Sequence, residues 1–205
     1  MQCRKEDISL RCAFKKIKEM VACSPLPEDL PHAENTLKWL LYLKPDAGLP
    51  LQIAALGHDI ERGAGKRRVR KEDSCSYDQF KRAHAENSAK ILKEILVECG
   101  VDLQIVEEAC ELVANHEFGG WEEADLLRDA DKISFFDVNI TYYYLRNGRE
   151  KTKERCLWGL RLLSKEGRRI VESFSFKNPC VEEIVKECLE MCTLTQSDAP
   201  YPDIC

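Results

Sequence analysis

Apolar side chains recur every three or four residues along nearly the whole chain, a spacing that predicts helices. Glycine and proline lie between the periodic segments and mark their ends. No stretch shows the strict alternation of a half-buried strand. The predicted helices are 7–22, 28–44, 50–61, 77–99, 102–116, one from about 122 that runs past Lys132, 150–164, 166–175 and 180–193. We therefore expect an all-α fold, a single helical bundle.

The segment from 51 to 60 combines an apolar run with two polar residues that often bind metals. Pro50 precedes the run, Gly57 lies inside it, and His58 and Asp59 follow. This composition favours a short helix buried on all sides. Burying an imidazole and a carboxylate without partners would cost several kcal/mol. A bound cation would compensate most directly.

The chain has only four histidines, and each lies on the inward face of a predicted helix. His84 continues an apolar stripe through Phe80 and Ile91, and His116 ends the stripe of helix 102–116. His32 opens a helix whose inner face runs on through Leu40. One such histidine is usually a hydrogen-bonded core residue. Four of four, with none left for the surface, favour a shared site.

These histidines and two aspartates follow an order that resembles the HD superfamily of metal-dependent phosphohydrolases. The matching residues are His32, His58, Asp59, His84, His116 and Asp131, the last within an Asp-Ala-Asp-Lys run. The resemblance covers about residues 32–137. It implies an HD-type helical domain in which each ligand comes from the end or face of a separate helix. It selects Asp131 rather than Asp129, which would point away from the same helix face.

The resemblance also implies how the ligands divide between ions. His32, His58, Asp59 and Asp131 would hold a first metal, and His84 and His116 a second, with Asp59 bridging both. A single ion that leaves His84 and His116 to meet substrate is the alternative. Imidazole and carboxylate ligands without thiolate suit Mn, Fe, Co, Ni or Zn better than magnesium. The cofactors expected are thus divalent metal ions, two in number.

A positively charged metal site favours a small anionic substrate. We expect an enzyme that hydrolyses a small phosphoester or nucleotide. Asp59 and the metal ions it holds would activate the attacking water. The loop after the His-Asp pair carries six basic residues between 62 and 71. Arg62, Lys66 and Arg67 are the candidates to bind phosphate.

Three side chains next to ligands in the sequence are candidates for further roles. Lys132 follows Asp131 and could stabilise developing negative charge. Glu61 and Glu117 could each carry a proton or orient a histidine, and Glu61 is the candidate catalytic residue of the two. Lys132 is equally explained as a surface charge, and carboxylates at helix ends are common without such a role.

Two other functions share the same ligand set. Some members of the superfamily use a di-iron centre to activate oxygen, and others are non-catalytic regulatory modules that bind nucleotides. The basic loop favours hydrolysis over oxygenation, and the complete ligand set favours catalysis over regulation.

Length and composition set the remaining expectations. The chain of 205 residues is expected to form one domain, with a metal-binding core at about 28–146 and C-terminal helices and tail at 150–205. The net charge of -5 makes nucleic acid an improbable partner, and no apolar run is long enough for a membrane span. We expect a cytoplasmic protein whose eleven cysteines are reduced, since they are odd in number and no export signal is evident.

Overall fold

Nine α-helices account for most of residues 2–194, the part of the chain whose backbone is described in the computed structural model. The side chains described are those of residues 7–193. The helices are α1 (Gln2–Ala22), α2 (Asp29–Leu43), α3 (Leu49–Gly57), α4 (Tyr77–Glu98), α5 (Leu103–Asn115), α6 (Glu122–Ser134), α7 (Ile140–Leu162), α8 (Lys165–Glu172) and α9 (Pro179–Leu194). No strand occurs between residues 2 and 194, so the predicted all-α fold is confirmed. The polar tail after residue 194 lies outside the described residues.

The helix α3 lies at the centre of the larger of two hydrophobic clusters. Its apolar residues from Leu51 to Leu56 are buried around most of the helix circumference, as the continuous apolar run predicts. α3 ends at Gly57, four residues before the predicted end. The chain then tightens into a 3₁₀ turn, Ile60–Gly63. His58 and Asp59 therefore lie at the carboxyl end of α3, where side chains from neighbouring helices can meet them.

A second hydrophobic cluster is formed by the end of α6 together with α7, α8 and α9. The sequence predicts a break between the helix that carries Asp131 and the next helix at 150. The chain instead continues from α6 through a π-helical segment, Phe135–Asn139, into the first part of α7. A kink at Gly148, which has a φ of 77°, then divides α7, and its second part begins close to the predicted start at 150. The π segment brings residues of α6 and α7 to the same side of the bundle.

The end of α1 supports the turn that follows the His-Asp pair. A Cβ atom placed on Gly63 would lie 1.8 Å from the backbone oxygen of Met20. Only glycine permits this approach of two backbones. α1 thereby fixes the position of the 3₁₀ turn, and with it Glu61 and Arg62.

One pair of cysteines is joined, which corrects the prediction that all are reduced. Cys12 of α1 and Cys99 at the end of α4 form a disulfide, with their Cα atoms 5.7 Å apart. The two residues are separated by 87 positions in the sequence, and only the packing of α1 against α4 brings them together. The spacing of cysteines along the chain therefore carried no sign of this bond.

The described helices include none with the length and apolar character that a membrane span requires.

Candidate metal centre

The six residues predicted as metal ligands are all buried and lie close together. They come from five of the helices or from the residues that directly follow them. His32 lies on α2, His58 and Asp59 follow α3, His84 lies on α4, His116 follows α5 and Asp131 lies on α6. The helices α3 and α5 pack side by side, so their carboxyl ends bring two of the histidines together.

Four of these residues form the first of two adjacent groups. The Nε2 atoms of His32 and His58 are 3.2 Å apart. Asp131 Oδ1 lies 3.1 Å from His32 Nε2 and 3.5 Å from His58 Nε2. Asp59 Oδ2 lies 3.8 Å and 3.6 Å from the same two nitrogens. Ligands bound at about 2.1 Å to one ion are separated by similar distances, so His32, His58 and Asp59 could hold a metal ion, with Asp131 beside them.

The second group lies on the other side of Asp59. It consists of Asp59, His84, His116 and Glu117, whose ligand atoms all lie within 4.8 Å of one another. Asp59 Oδ1 is 2.8 Å from His84 Nε2, while Oδ2 faces the first group. One carboxylate therefore offers an oxygen to each group. Within residues 7–193, the groups able to hold a metal are these two, and neither contains a cysteine.

Glu117 takes a more central place than the sequence predicts. It was considered as a proton carrier or as a partner that orients a histidine, and the structure places its Oε1 3.3 Å from His116 Nε2. The sequence contained a signal for this position. His116 and Glu117 repeat the pattern of His58 and Asp59, a histidine and a carboxylate directly after a helix. In both pairs the histidine Nδ1 bonds the backbone oxygen three residues earlier.

The Nδ1 atom of every histidine is hydrogen-bonded on the side away from the two groups. The acceptors are Ser134 Oγ for His32, Ala55 O for His58, Glu61 Oε2 for His84 and Val113 O for His116, at 2.7–2.9 Å. Ser134 donates its own proton to the backbone oxygen of His32, so it accepts from Nδ1. In the neutral imidazoles each Nε2 therefore carries a lone pair that faces the carboxylates.

These lone pairs require a positive charge among them. His116 Nε2 is buried without any hydrogen-bond donor, and the facing Nε2 atoms of His32 and His58 are both acceptors when neutral. Buried acceptors placed against each other are unfavourable unless a cation or proton lies between them. The donor set therefore fits a divalent cation.

The pKa values of the histidines reflect the negative charge of the neighbouring carboxylates. Burial lowers the pKa of His58, but the Asp59 and Asp131 carboxylates outweigh it, so the net shift is upward. Burial also lowers the pKa of His84, and hydrogen bonds to Asp59 and Glu61 reverse this. His116 has a lowered pKa, because burial exceeds the effect of Glu117.

The carboxylates of the centre stay ionised because basic side chains surround them. Burial alone would raise their pKa values. Arg62 and His58 hold the pKa of Asp59 well below its usual range, and Lys132 does the same for Asp131. The pKa of Glu117 is lowered by Lys132 and Lys81.

Lys132 and Glu61, two of the predicted catalytic residues, hold ligands in place. Lys132 is fully buried, and its Nζ lies 2.6 Å from Asp131 Oδ2 and 2.8 Å from Glu117 Oε2. It does not line the pocket described below. Glu61 accepts the proton of His84 Nδ1 and a hydrogen bond from the backbone of Val69.

The structure places the three predicted phosphate-binding residues in different surroundings. Arg62 lies 2.8 Å from Asp59 Oδ2 and 3.0 Å from Asp29 Oδ1, so its guanidinium is already engaged by the centre. Arg67 forms a bidentate pair with Glu94 on the surface, and neither it nor Lys66 reaches the pocket. Arg68, from the same loop, does line it.

A pocket of about 290 Å³ opens directly onto the centre. Its residues fall into three chemical sets. The acidic and histidine residues are Glu28, His32, Asp59, Glu61, His84, Glu117 and Asp131; the basic ones are Arg62, Arg68, Lys81, Arg146 and Arg155; the others include Tyr77, Phe80, Phe135, Asn139, Tyr143 and Asn147. Local sequence does not reveal the contributions from 135–155, because they depend on how the π segment packs against α2.

Taken together, the described residues form an all-α protein with a buried cluster of histidines and carboxylates that could hold a metal ion, at the base of a small polar pocket. The model of the family described as Domain of unknown function (DUF4202) matches residues 13–185, and the protein belongs to that family. The match spans every residue of the candidate centre and of the pocket. No curated protein and no solved structure matches the chain.

Proposed function

We propose that the protein is a metal-dependent hydrolase of the HD type that cleaves a small phosphoester. The observation that carries the proposal is the orientation of the four imidazoles. Each Nδ1 is held by an outer acceptor, and each Nε2 faces a carboxylate or another imidazole of the centre. This arrangement suits an ion that activates water far better than it suits a metal-free core.

The residues divide between two positions for a divalent cation. His32, His58, Asp59 and Asp131 would hold the first, and His84, His116, Glu117 and the second oxygen of Asp59 the other. When bound, such ions lower the pKa of a coordinated water and neutralise charge on phosphoryl oxygens. Mn, Fe, Co, Ni and Zn suit this mixture of nitrogen and oxygen ligands.

The charge of the pocket favours an anionic substrate. Among the described residues that line it, five carboxylates face five lysine or arginine side chains, so its formal charge is zero when the histidines are neutral. A single divalent cation would make the pocket positive. The doubly charged phosphate of a monoester would then restore neutrality, whereas an uncharged substrate would leave buried positive charge uncompensated.

The side chains of the pocket have separate roles in this scheme. Arg68, Arg146 and Arg155 lie on its outer walls, where they can pair with phosphate oxygens. Lys132 contacts no substrate and instead fixes Asp131 and Glu117, and Glu61 orients His84. The aromatic rings of Tyr77 and Phe80 cover one wall and limit the access of bulk water.

The proposal is tested by incubating the purified protein with Mn, Fe, Co, Ni or Zn and a panel of phosphomonoesters, phosphodiesters and nucleotides. Release of phosphate or of a nucleoside is expected with at least one metal and abolished by EDTA. His58→Ala should remove the activity, since His58 lies at the centre of the first group. Oxygen uptake without phosphate release would favour a di-iron oxygenase and contradict the proposal.

A further inference from the structure

The pocket continues past the metal centre to a polar wall formed by the residue before α2, the π segment and α7. The residues of this wall are Glu28, Asn139, Tyr143, Arg146 and Arg155. Glu28 and Asn139 are both buried, with 2% and 7% of their surface exposed. None of these wall residues is one of the six predicted ligands.

Three buried polar atoms on this wall have no hydrogen-bond partner within the protein. They are Glu28 Oε2, Asn139 Oδ1 and Arg155 Nη1. A buried polar atom without a partner is unfavourable by about 1–3 kcal/mol, and such atoms are rare in native structures. Three of them on the wall of one pocket are explained if a bound ligand supplies their partners.

The chemistry of the three atoms defines the ligand. Two are acceptors, so the ligand must bring two hydrogen-bond donors to this wall, which a phosphate dianion does not have. The other oxygen of Glu28 already pairs with Arg146, which fixes the orientation of the carboxylate. Neighbouring hydroxyl groups of a sugar supply two donors a short distance apart. A hydroxyl also avoids placing a second positive charge beside the metal centre.

The third atom, Arg155 Nη1, is a donor held in place by two aromatic rings. The guanidinium lies 4.7 Å from the centre of the Phe135 ring and 4.4 Å from that of Trp158. Stacking of this kind fixes the plane of the guanidinium. Arg155 can therefore direct its free donor at a phosphate oxygen while Glu28 and Asn139 bind the alcohol part of the same molecule.

We propose that Glu28 and Asn139 form a subsite for the hydroxyl groups of the substrate, which is a phosphate ester of a sugar with neighbouring hydroxyls. The sugar is either free or the ribose of a ribonucleotide. This inference rests on the proposed function for the phosphate but not on hydrolysis itself. The volume of about 290 Å³ lies at the lower end of ligand pockets and suits a molecule no larger than a mononucleotide.

Equilibrium binding to the metal-loaded full-length protein tests the subsite, with phosphate release followed in the same samples so that only binding of intact ligand is compared. The probes are ribose 5-phosphate and its 2,3-dideoxy analogue, followed by AMP and 2′,3′-dideoxy-AMP. Each lost hydroxyl leaves a buried acceptor unpaired, so the hydroxylated ligand of a pair should bind at least about tenfold more tightly. A preference in the first pair supports a free sugar phosphate, and one confined to the second pair supports a ribonucleotide. Equal binding within both pairs overturns the subsite.

Two variants at one position separate ligand recognition from folding. Asn139→Leu removes one of the two acceptors, so the preference should fall severalfold to what Glu28 alone supplies, while the melting temperature stays the same or rises. Asn139→Asp keeps an acceptor oxygen, and its added charge weakens both ligands of a pair alike, so the preference should persist. A wild-type preference retained in Asn139→Leu contradicts the role of Asn139.

The outcomes also distinguish this inference from the proposed function. Hydroxyl-dependent binding without any metal-dependent phosphate release keeps the subsite and rejects the hydrolase. Phosphate release that does not depend on the hydroxyl groups of the substrate supports the hydrolase and rejects the subsite.

Discussion

At the level of single residues, Lys81 already supplies one positive charge to the second group of ligands. Its Nζ contacts Glu117 Oε1, the oxygen that also faces His116, and the side chain is buried. A cation in the second group would meet this ammonium at close range. The ammonium should therefore weaken the binding of a cation in the second group.

Replacing Lys81 by methionine removes the competing charge and keeps most of the buried volume. We expect Lys81→Met to bind a second Mn²⁺ at least about tenfold more tightly than the wild type, because a repulsion of several kcal/mol is relieved. Calorimetric titration and metal content by mass spectrometry measure this directly.

Lys90→Met is the matched control, since Lys90 lies on the same helix but is exposed. Its two binding steps should equal those of the wild type. A Lys81→Met protein whose second step is as weak as that of the wild type would show that the ammonium does not compete.

The sequence predicted which residues form the buried cluster better than it predicted what surrounds them. Helical spacing placed all four histidines on inward faces, and the structure brings them together with Asp59 and Asp131. Arg67 was a reasonable candidate for phosphate binding, but a surface pair with Glu94 engages it. Whether a basic side chain turns inward depends on a partner from another helix, which local sequence does not reveal.

At the level of elements, the helix ends place the functional groups. α3 and α5 end one residue before His58 and His116, and both histidines use Nδ1 to bond a carbonyl of the last turn. A helix end thus supplies a free carbonyl that orients each imidazole. Periodicity predicted both helices, but the predicted end of the first one lies one turn beyond the end of α3.

The contact of α1 with the 3₁₀ turn should be essential for stability. Gly63→Ala would force a Cβ into the Met20 carbonyl, so we expect a loss of about 1–3 kcal/mol in the free energy of unfolding. Denaturant titration measures it. Gly48→Ala is the control, because its φ is −63° and the nearest atom to a new Cβ is 3.7 Å away.

The change at Gly48 should stay within about 0.5 kcal/mol. Equal effects of the two substitutions would mean that α1 does not support the turn.

At the scale of the whole molecule, the all-α class followed from periodicity, while the path of the last helices did not. The π segment extends the helix of Asp131 past its expected end as far as the kink at Gly148, and the Cys12–Cys99 bond joins distant parts of the chain. Both depend on tertiary packing. The outer wall of the pocket, including Asn139 and Arg155, follows from the packing of the π segment against α2 and could not be read from spacing.

Metal binding should be linked to the stability of the entire bundle, because its ligands come from α2 to α6. A ligand present at 100 times its dissociation constant stabilises a folded protein by about 2.7 kcal/mol. Two neighbouring aspartates separate this effect from general damage. Asp131 faces the histidines, whereas Asp129 accepts a hydrogen bond from the Ser164 backbone.

The most direct test of the metal centre is therefore thermal unfolding, with bound metal quantified, for the wild type, Asp131→Asn and Asp129→Asn. The wild type and Asp129→Asn should bind at least one divalent ion per chain and melt at a higher temperature with Mn²⁺ than with EDTA. Asp131→Asn should bind little metal and show no such difference. A wild-type protein that binds no divalent ion, and melts at the same temperature with Mn²⁺ or EDTA, would contradict the account.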